Sequence, residues 1–148
     1  MTSDEFIKRT YNAAMAVQTK YKVNALSAIA QSAQETGWGK TVVGNMYFGI
    51  KAGASWTGQK QLLWTHEYID GVYTKVKAWF RKYNSVEESF EDWAKLISGS
   101  ARYKNALNYA DQPELFITEI ANSGYATDPN YANQIISIIG NIKKKLKK

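Results

Sequence analysis

Apolar residues recur at helical spacing near both ends of the chain, and between them lies one long stretch where that spacing disappears. Thr2 and Glu5 stand at capping-box spacing and open a helix carrying Phe6, Ile7, Tyr11, Ala14 and Val17. Asn24 can cap a second helix that ends near Gly37, with Leu26, Ile29, Ala30 and Ala33 as its apolar stripe. From Thr41 to Tyr83 glycines recur at 44, 49, 53, 58 and 71 among aromatic and β-branched residues. Asp70-Gly71 separates two extended runs, Gln61–Ile69 and Val72–Arg81, and predicts a tight hairpin. Helical spacing then returns. Ser85 and Glu88 form a second capping box before Val86, Phe90, Trp93 and Ile97. Asp111 and Glu114 form a third, with Pro113 early in its helix and Gly124 as the stop. Asp128-Pro129 starts the last helix, with the stripe Ile135, Ile138, Ile139, Ile142 and Leu146. Helices around a short antiparallel segment predict an α+β fold, mainly helical, with a small β-hairpin lobe flanking a cleft.

The 148 residues suit one domain, and no repeat or Pro/Gly-rich linker divides them. Five Trp and ten Tyr exceed the usual needs of so small a core. Such rings line ligand grooves or simply pack, and Trp56, Trp64 and Trp79 fit either reading. With no cysteine, disulfides, thiolate catalysis and Cys-based zinc sites are excluded. His66 is the single histidine, and no nucleophile elbow accompanies it. The net charge of +6 implies attraction to polyanions. Much of the excess lies in Lys143, Lys144, Lys145, Lys147 and Lys148, which read as a solvated end. The N-terminus lacks an apolar run after a basic start, so no signal peptide is expected. No apolar stretch approaches the ~18 residues of a spanning helix, so no membrane insertion is expected either.

One carboxylate stands out. At ~100° per residue, Glu35 lies opposite the Leu26/Ile29/Ala33 stripe, on a face shared with Ser32, Gln31 and Ala28. It occupies the last helical turn, where the helix dipole disfavours an anion. Trp38, Met46, Tyr47 and Phe48 follow closely and could exclude water from it. Both effects raise a carboxyl pKa, as a general acid for glycosidic cleavage requires. An ordinary solvated glutamate is the alternative reading of the same position.

The run Ala33-Gln34-Glu35-Thr36-Gly37-Trp38-Gly39-Lys40, followed by Asn45-Met46-Tyr47-Phe48-Gly49-Ile50-Lys51, resembles the glucosaminidase family of peptidoglycan hydrolases, glycoside hydrolase family 73. The family pattern is E-S-G-W-G-K and then N-L-F-G-I-K. Here Thr36 replaces the Ser, and Met46-Tyr47 stands where one Leu is usual. Glu67 and Gly71, Phe80-Arg81-Lys82-Tyr83, Arg102-Tyr103 and the run from Gly124 to Ala132 match in order, so the resemblance spans about residues 5 to 142.

That resemblance implies a lysozyme-like fold, with Glu35 as catalytic acid at a helix end facing the cleft. It implies catalytic parts for Glu67, as the second carboxylate, and for Tyr125 near the sugar. It also puts Asn45, Phe48, Trp38 and Tyr131 against the substrate. From the residues alone, Glu67 is equally a solvated strand charge, Tyr125 a packing aromatic after Gly124, and Asn45 a turn residue. Asp128 reads as a helix cap. The implied reaction is hydrolysis of the β-1,4 bond after N-acetylglucosamine in peptidoglycan glycan strands, without metal or other cofactor. A monomer acting at the bacterial cell wall, with no nucleic-acid partner, completes the expectation. A muramidase or lytic transglycosylase of the same superfamily is the nearest alternative, and a non-catalytic wall-binding module a more distant one.

Overall fold

The computed structural model describes residues 1–147. Five α-helices and one hairpin follow in the order α1 (Ser3–Tyr21), α2 (Ala25–Thr36), β1 (Lys60–Ile69), β2 (Val72–Arg81), α3 (Val86–Gly99), α4 (Pro113–Asn122) and α5 (Tyr131–Leu146). A 3₁₀ helix, Ala101–Tyr109, links α3 to α4. The helical core closes on Phe6, Ile29, Phe90, Trp93, Ile97 and Phe116, with Ile135, Ile139 and Ile142 from α5. Among the described residues no helix is long and apolar enough to cross a membrane.

Local signals explain where α1 and α2 begin. Glu5 N–H donates to Thr2 Oγ1 at 3.1 Å and Thr2 N–H to Glu5 Oε2 at 3.3 Å, which completes the predicted box. Ser27 N–H donates to Asn24 Oδ1 at 2.8 Å, which caps α2. The second box closes only on one side: Glu88 N–H reaches Ser85 Oγ, but Glu88 Oε2 accepts from Asn84 N–H instead. The third box does not form. Pro113 sits at the first position of α4, so Gln112 becomes the cap residue and Asp111 is left outside it.

Several stripe residues also turn out differently, Val86 and Ile138 being only half-buried. Tyr11 and Leu146 stay exposed, and Leu26 is half-buried. Thr10 and Ala13 take the inward positions on α1 that Tyr11 was expected to share. The lysine-rich end is not a loose appendage, because α5 runs through Leu146 and two of its lysines are paired. Lys143 reaches Glu114 on α4 at 2.6 Å, and Lys145 reaches Asp4 on α1 at 3.0 Å. Lys148 lies outside the described residues.

The hairpin forms as its sequence predicts, one residue longer at its start. Ten residue pairs run from Lys60 opposite Arg81 to Ile69 opposite Val72. Asp70 and Gly71 both take positive φ, 51° and 80°, as a turn matching the strand twist requires. The base of the lobe is fastened by Arg81. Its guanidinium donates to Asp92 Oδ2 on α3 at 3.0 Å and to the Lys51 carbonyl at 3.1 Å, and it lies 4.4 Å from the Trp56 ring centre. Asp92 also accepts from the Tyr83 hydroxyl at 2.6 Å, and that bond together with burial pushes the Tyr83 pKa upward. The Arg81 and Asp92 side chains are each only 18% exposed. Asp92→Ala is therefore expected to cost about 2–3 kcal/mol, because it strands a half-buried guanidinium. Urea denaturation checks this, and a change below about 0.5 kcal/mol would show that the fastening is not needed.

Candidate active site

Helix α2 is wrapped more completely than its sequence suggests. Ala28, Ser32 and Gln31, expected on an open face, are as buried as Ile29 and Ala33, because small side chains let neighbouring helices close in. Only near its C-terminal end does it emerge, at Gln34 and Glu35. Gly37 then ends the helix in the left-handed region, with its N–H on the Ala33 carbonyl.

Glu35 stands where two cavities meet. One, about 340 Å³, is lined by Gln31, Phe48, Trp93, Leu96, Tyr125 and Tyr131, among others. The other, about 300 Å³, lies under the hairpin and includes Met46, Lys51, Leu63, Glu67 and Phe80. Both are also lined by Gly49. The Glu35 carboxyl remains open to the cleft, yet its concave surroundings displace enough water to raise its pKa above the ordinary carboxylate value. Desolvation is the cause, as the sequence reading anticipated, and Met46 and Phe48 line the cavities as expected, but Trp38 and Tyr47 do not. Trp38 packs edge-on against Phe6 at 5.9 Å, and Tyr47 lies in the core between Phe6 and Phe90.

Gly49 explains how the carboxyl can sit so low. Its φ is +62°, and a Cβ built there would overlap Glu35 Oε1 and come within 2.9 Å of Cδ. The acid thus rests against bare backbone, in a conformation that glycine adopts without strain.

The structure brings Phe48, Tyr125 and Tyr131 to Glu35, and Glu67 to the far side of the same cleft. Phe48 stacks on Trp93 with ring centres 4.9 Å apart, which makes it wall and core at once. Tyr125 and Tyr131 lie 5.7 Å apart. Burial is the largest cause raising both hydroxyl pKa values, that of Tyr131 to about 12, and the nearby Glu35 charge adds to it. Both phenols therefore stay protonated as donors. Glu67 is ion-paired with Lys51.

Two expected contacts fall elsewhere. Trp38 lines neither cavity, because its ring is drawn onto Phe6 beneath the cleft. Asn45 has φ +54° and donates to the Tyr83 carbonyl at 3.1 Å. It is a turn residue holding the loop against the hairpin base, and it too lines neither cavity.

Sequence reasoning missed Gln31 and Trp93 as cleft-lining groups. Gln31 Nε2 donates to the Tyr131 hydroxyl at 2.8 Å, and its place one helical turn before Glu35 was the available signal. Trp93 was legible only as an apolar stripe residue. Gln31 Oε1 and Trp93 Nε1 are buried without a partner that meets hydrogen-bond geometry. Among the described residues, no three His, Asp or Glu side chains gather to hold a metal ion. A wider depression of about 550 Å³ lies beside Trp56, Tyr83 and Asp92 and contains neither Glu35 nor Glu67.

Residues 11–144 match the Glucosaminidase family, described as mannosyl-glycoprotein endo-beta-N-acetylglucosaminidase. The peptidoglycan hydrolase FlgJ of Pseudomonas aeruginosa is 40% identical, over 93% of this chain and 36% of its own length. The exo-glucosaminidase LytG of Bacillus subtilis is 33% identical, over 90% of this chain and 49% of its own. The chain thus spans half or less of either relative. A C-terminally truncated glycoside hydrolase domain from Salmonella typhimurium FlgJ superposes with a TM-score of 0.84 at 35% identity, over 97% of this chain and 99% of that one. The chain belongs to the glucosaminidase family, glycoside hydrolase family 73, and has its lysozyme-like α+β fold.

Proposed function

We propose that this chain hydrolyses the β-1,4 bond after N-acetylglucosamine in peptidoglycan, with Glu35 as general acid. The observation that carries this reading is the placement of one desolvated carboxyl at the junction of two cavities. A glycan threaded through both would put a glycosidic oxygen at Glu35. The raised pKa makes the protonated carboxyl more available than that of an ordinary glutamate, for delivery to the leaving oxygen as an oxocarbenium-like centre develops. Tyr125 and Tyr131, kept protonated, donate hydrogen bonds beside that centre, and Phe48 walls it. Glu67 is the candidate base for the attacking water. Its pairing with Lys51 means that it must exchange an ammonium for water before it can act, and the substrate's own acetamido oxygen is the other route. The relatives named for peptidoglycan hydrolysis support this polymer as the substrate, and the bacterial cell wall as the place of action.

Digesting purified peptidoglycan and reducing the new ends with borohydride tests the bond chosen. N-acetylglucosaminitol is the expected product. N-acetylmuramitol would make the chain a muramidase, and anhydromuramic ends a lytic transglycosylase.

Glu67→Gln is expected to slow lysis by less than the ~10²–10⁴-fold of full acid–base participation. A hairpin-borne base is shared with the acetamido route, so the loss should be partial. Wild-type rates in that variant would remove Glu67 from the mechanism.

A further inference from the structure

The hairpin has two unlike faces. Leu63, Thr65 and Glu67 with Thr74, Val76, Ala78 and Phe80 face inward, half-buried or buried. The outward face pairs Leu62 with Trp79, Trp64 with Lys77, His66 with Lys75 and Tyr68 with Tyr73. Trp64 is 59% exposed, Tyr73 62% and Trp79 47%, and among the described residues the contacts of the two strands are concentrated on each other. The rings are not a contiguous apolar patch, because cations are interleaved with them. Lys75 and Lys77 lie 5.0 and 4.9 Å from the Trp64 ring centre, and Lys60 lies 4.7 Å from that of Trp79. His66 stacks on Tyr73 at 4.7 Å. From Leu62 opposite Trp79 to Tyr68 opposite Tyr73 the outward pairs carry no carboxylate, since Glu67 points to the cleft side.

We propose that this outer face holds a second, uncut strand of an acidic glycan, by stacking its sugars on the rings and pairing its peptide carboxylates with the lysines. The identity of the polymer rests on the function proposed above. Aromatic rings offer flat, partly apolar surfaces with polar edges, which suit pyranose faces. Lys60, Lys75 and Lys77 select a negative ligand over a neutral one, and the cation–π contacts hold them in place before it arrives. From Leu62 to Tyr68 the ladder runs about 20 Å at ~3.4 Å per residue, long enough for several consecutive sugars. A bilayer is the poorer occupant, because Asp70 puts a carboxylate at the apex, where insertion would begin. Strand holding on one face and cleavage on the other would keep the enzyme on an insoluble polymer between cuts.

The test uses the full chain. Glu35→Gln protein is pelleted with peptidoglycan sacculi freed of secondary polymers, and separately with vesicles of phosphatidylglycerol and phosphatidylcholine. Lys75→Gln/Lys77→Gln and Trp79→Ala are compared in that background, and their turnover of short soluble glycan fragments is measured with Glu35 restored. Trp64 is left alone because it also borders the cleft. The lysine pair change is expected to weaken sacculus binding about tenfold, more at low than at high salt, with soluble turnover within twofold of wild type. Trp79→Ala should weaken binding at all salt concentrations. Where it lowers Tm, the lysine pair, which leaves the strands' apolar contacts intact, decides the question. Unchanged sacculus binding overturns the proposal. So does loss of soluble turnover, which would put these residues in the cleft, or stronger capture by vesicles through the same lysines. Pelleting needs no cleavage, so a chain that binds through this face but cuts nothing overturns the hydrolase reading alone.

Discussion

Glu35→Gln is expected to abolish lysis of purified cell walls while leaving the fold intact and slightly more stable at neutral pH. The amide fills the same space, so Phe48, Tyr125 and the Gly49 backbone keep their places. What disappears is the proton, and general acid catalysis typically supplies ~10²–10⁴-fold. Retention of more than a tenth of the wild-type lytic rate would sink the assignment.

The stability gain follows from desolvation. A carboxyl whose folded pKa is raised favours its neutral form in the fold, so its contribution is complete below the unfolded value, near 4.5, and is lost as pH rises through the folded one. Above that window wild type maintains a disfavoured anion, and glutamine does not. Wild-type Tm should therefore fall relative to Glu35→Gln on going from pH 4 to pH 7. The lytic rate should decline on the alkaline side as Glu35 gives up its proton. A variant less stable than wild type at pH 7 would show that the cleft does not desolvate the carboxyl.

Gly49→Ala is expected to cost about 10²-fold in lysis while keeping all catalytic side chains. The new methyl would take the space of Glu35 Oε1, so the carboxyl must rotate out of the junction or the 48–50 backbone must retreat. Displacing a catalytic group by about 1 Å is enough for a loss of that size. The positive φ adds roughly 1–2 kcal/mol of strain for any residue with a Cβ. Because α2 is locked on several sides, the loop is the part that should yield, and kcat should fall more than KM rises. The pH profile separates this from simple unfolding: a carboxyl pushed toward solvent returns toward an ordinary pKa, so the alkaline limb should move to lower pH. Unchanged kcat would mean that the loop absorbs the methyl without disturbing Glu35.

The parts of this fold that were legible are those decided by near neighbours. The Thr2–Glu5 box, the Asn24 cap, the Asp70-Gly71 turn and the inward isoleucines of α5 each depend on residues within a few positions. What was illegible depends on distant partners. The 3₁₀ helix has no 3.6-residue period to announce it, and Asp111 loses its cap position to the geometry that Pro113 imposes. At the site, Glu35 was visible as one carboxylate at a helix end. That Trp38 would turn away to Phe6, and that Gln31 would hold the Tyr131 hydroxyl from 100 positions away, could not be read from spacing. Lys51 was seen only as the end of a motif, and its pairing with Glu67 requires the hairpin to fold back over it.

The burial of α2 has a further consequence. Its contacts run to α1, α4 and α5, whereas those of β1 and β2 are concentrated on each other. The two walls of one cleft are therefore expected to differ in local stability, the hairpin opening at lower cost than α2. Hydrogen exchange is expected to be faster at the hairpin amides than at those of α2. The acid is carried on the wall that opens at the higher cost.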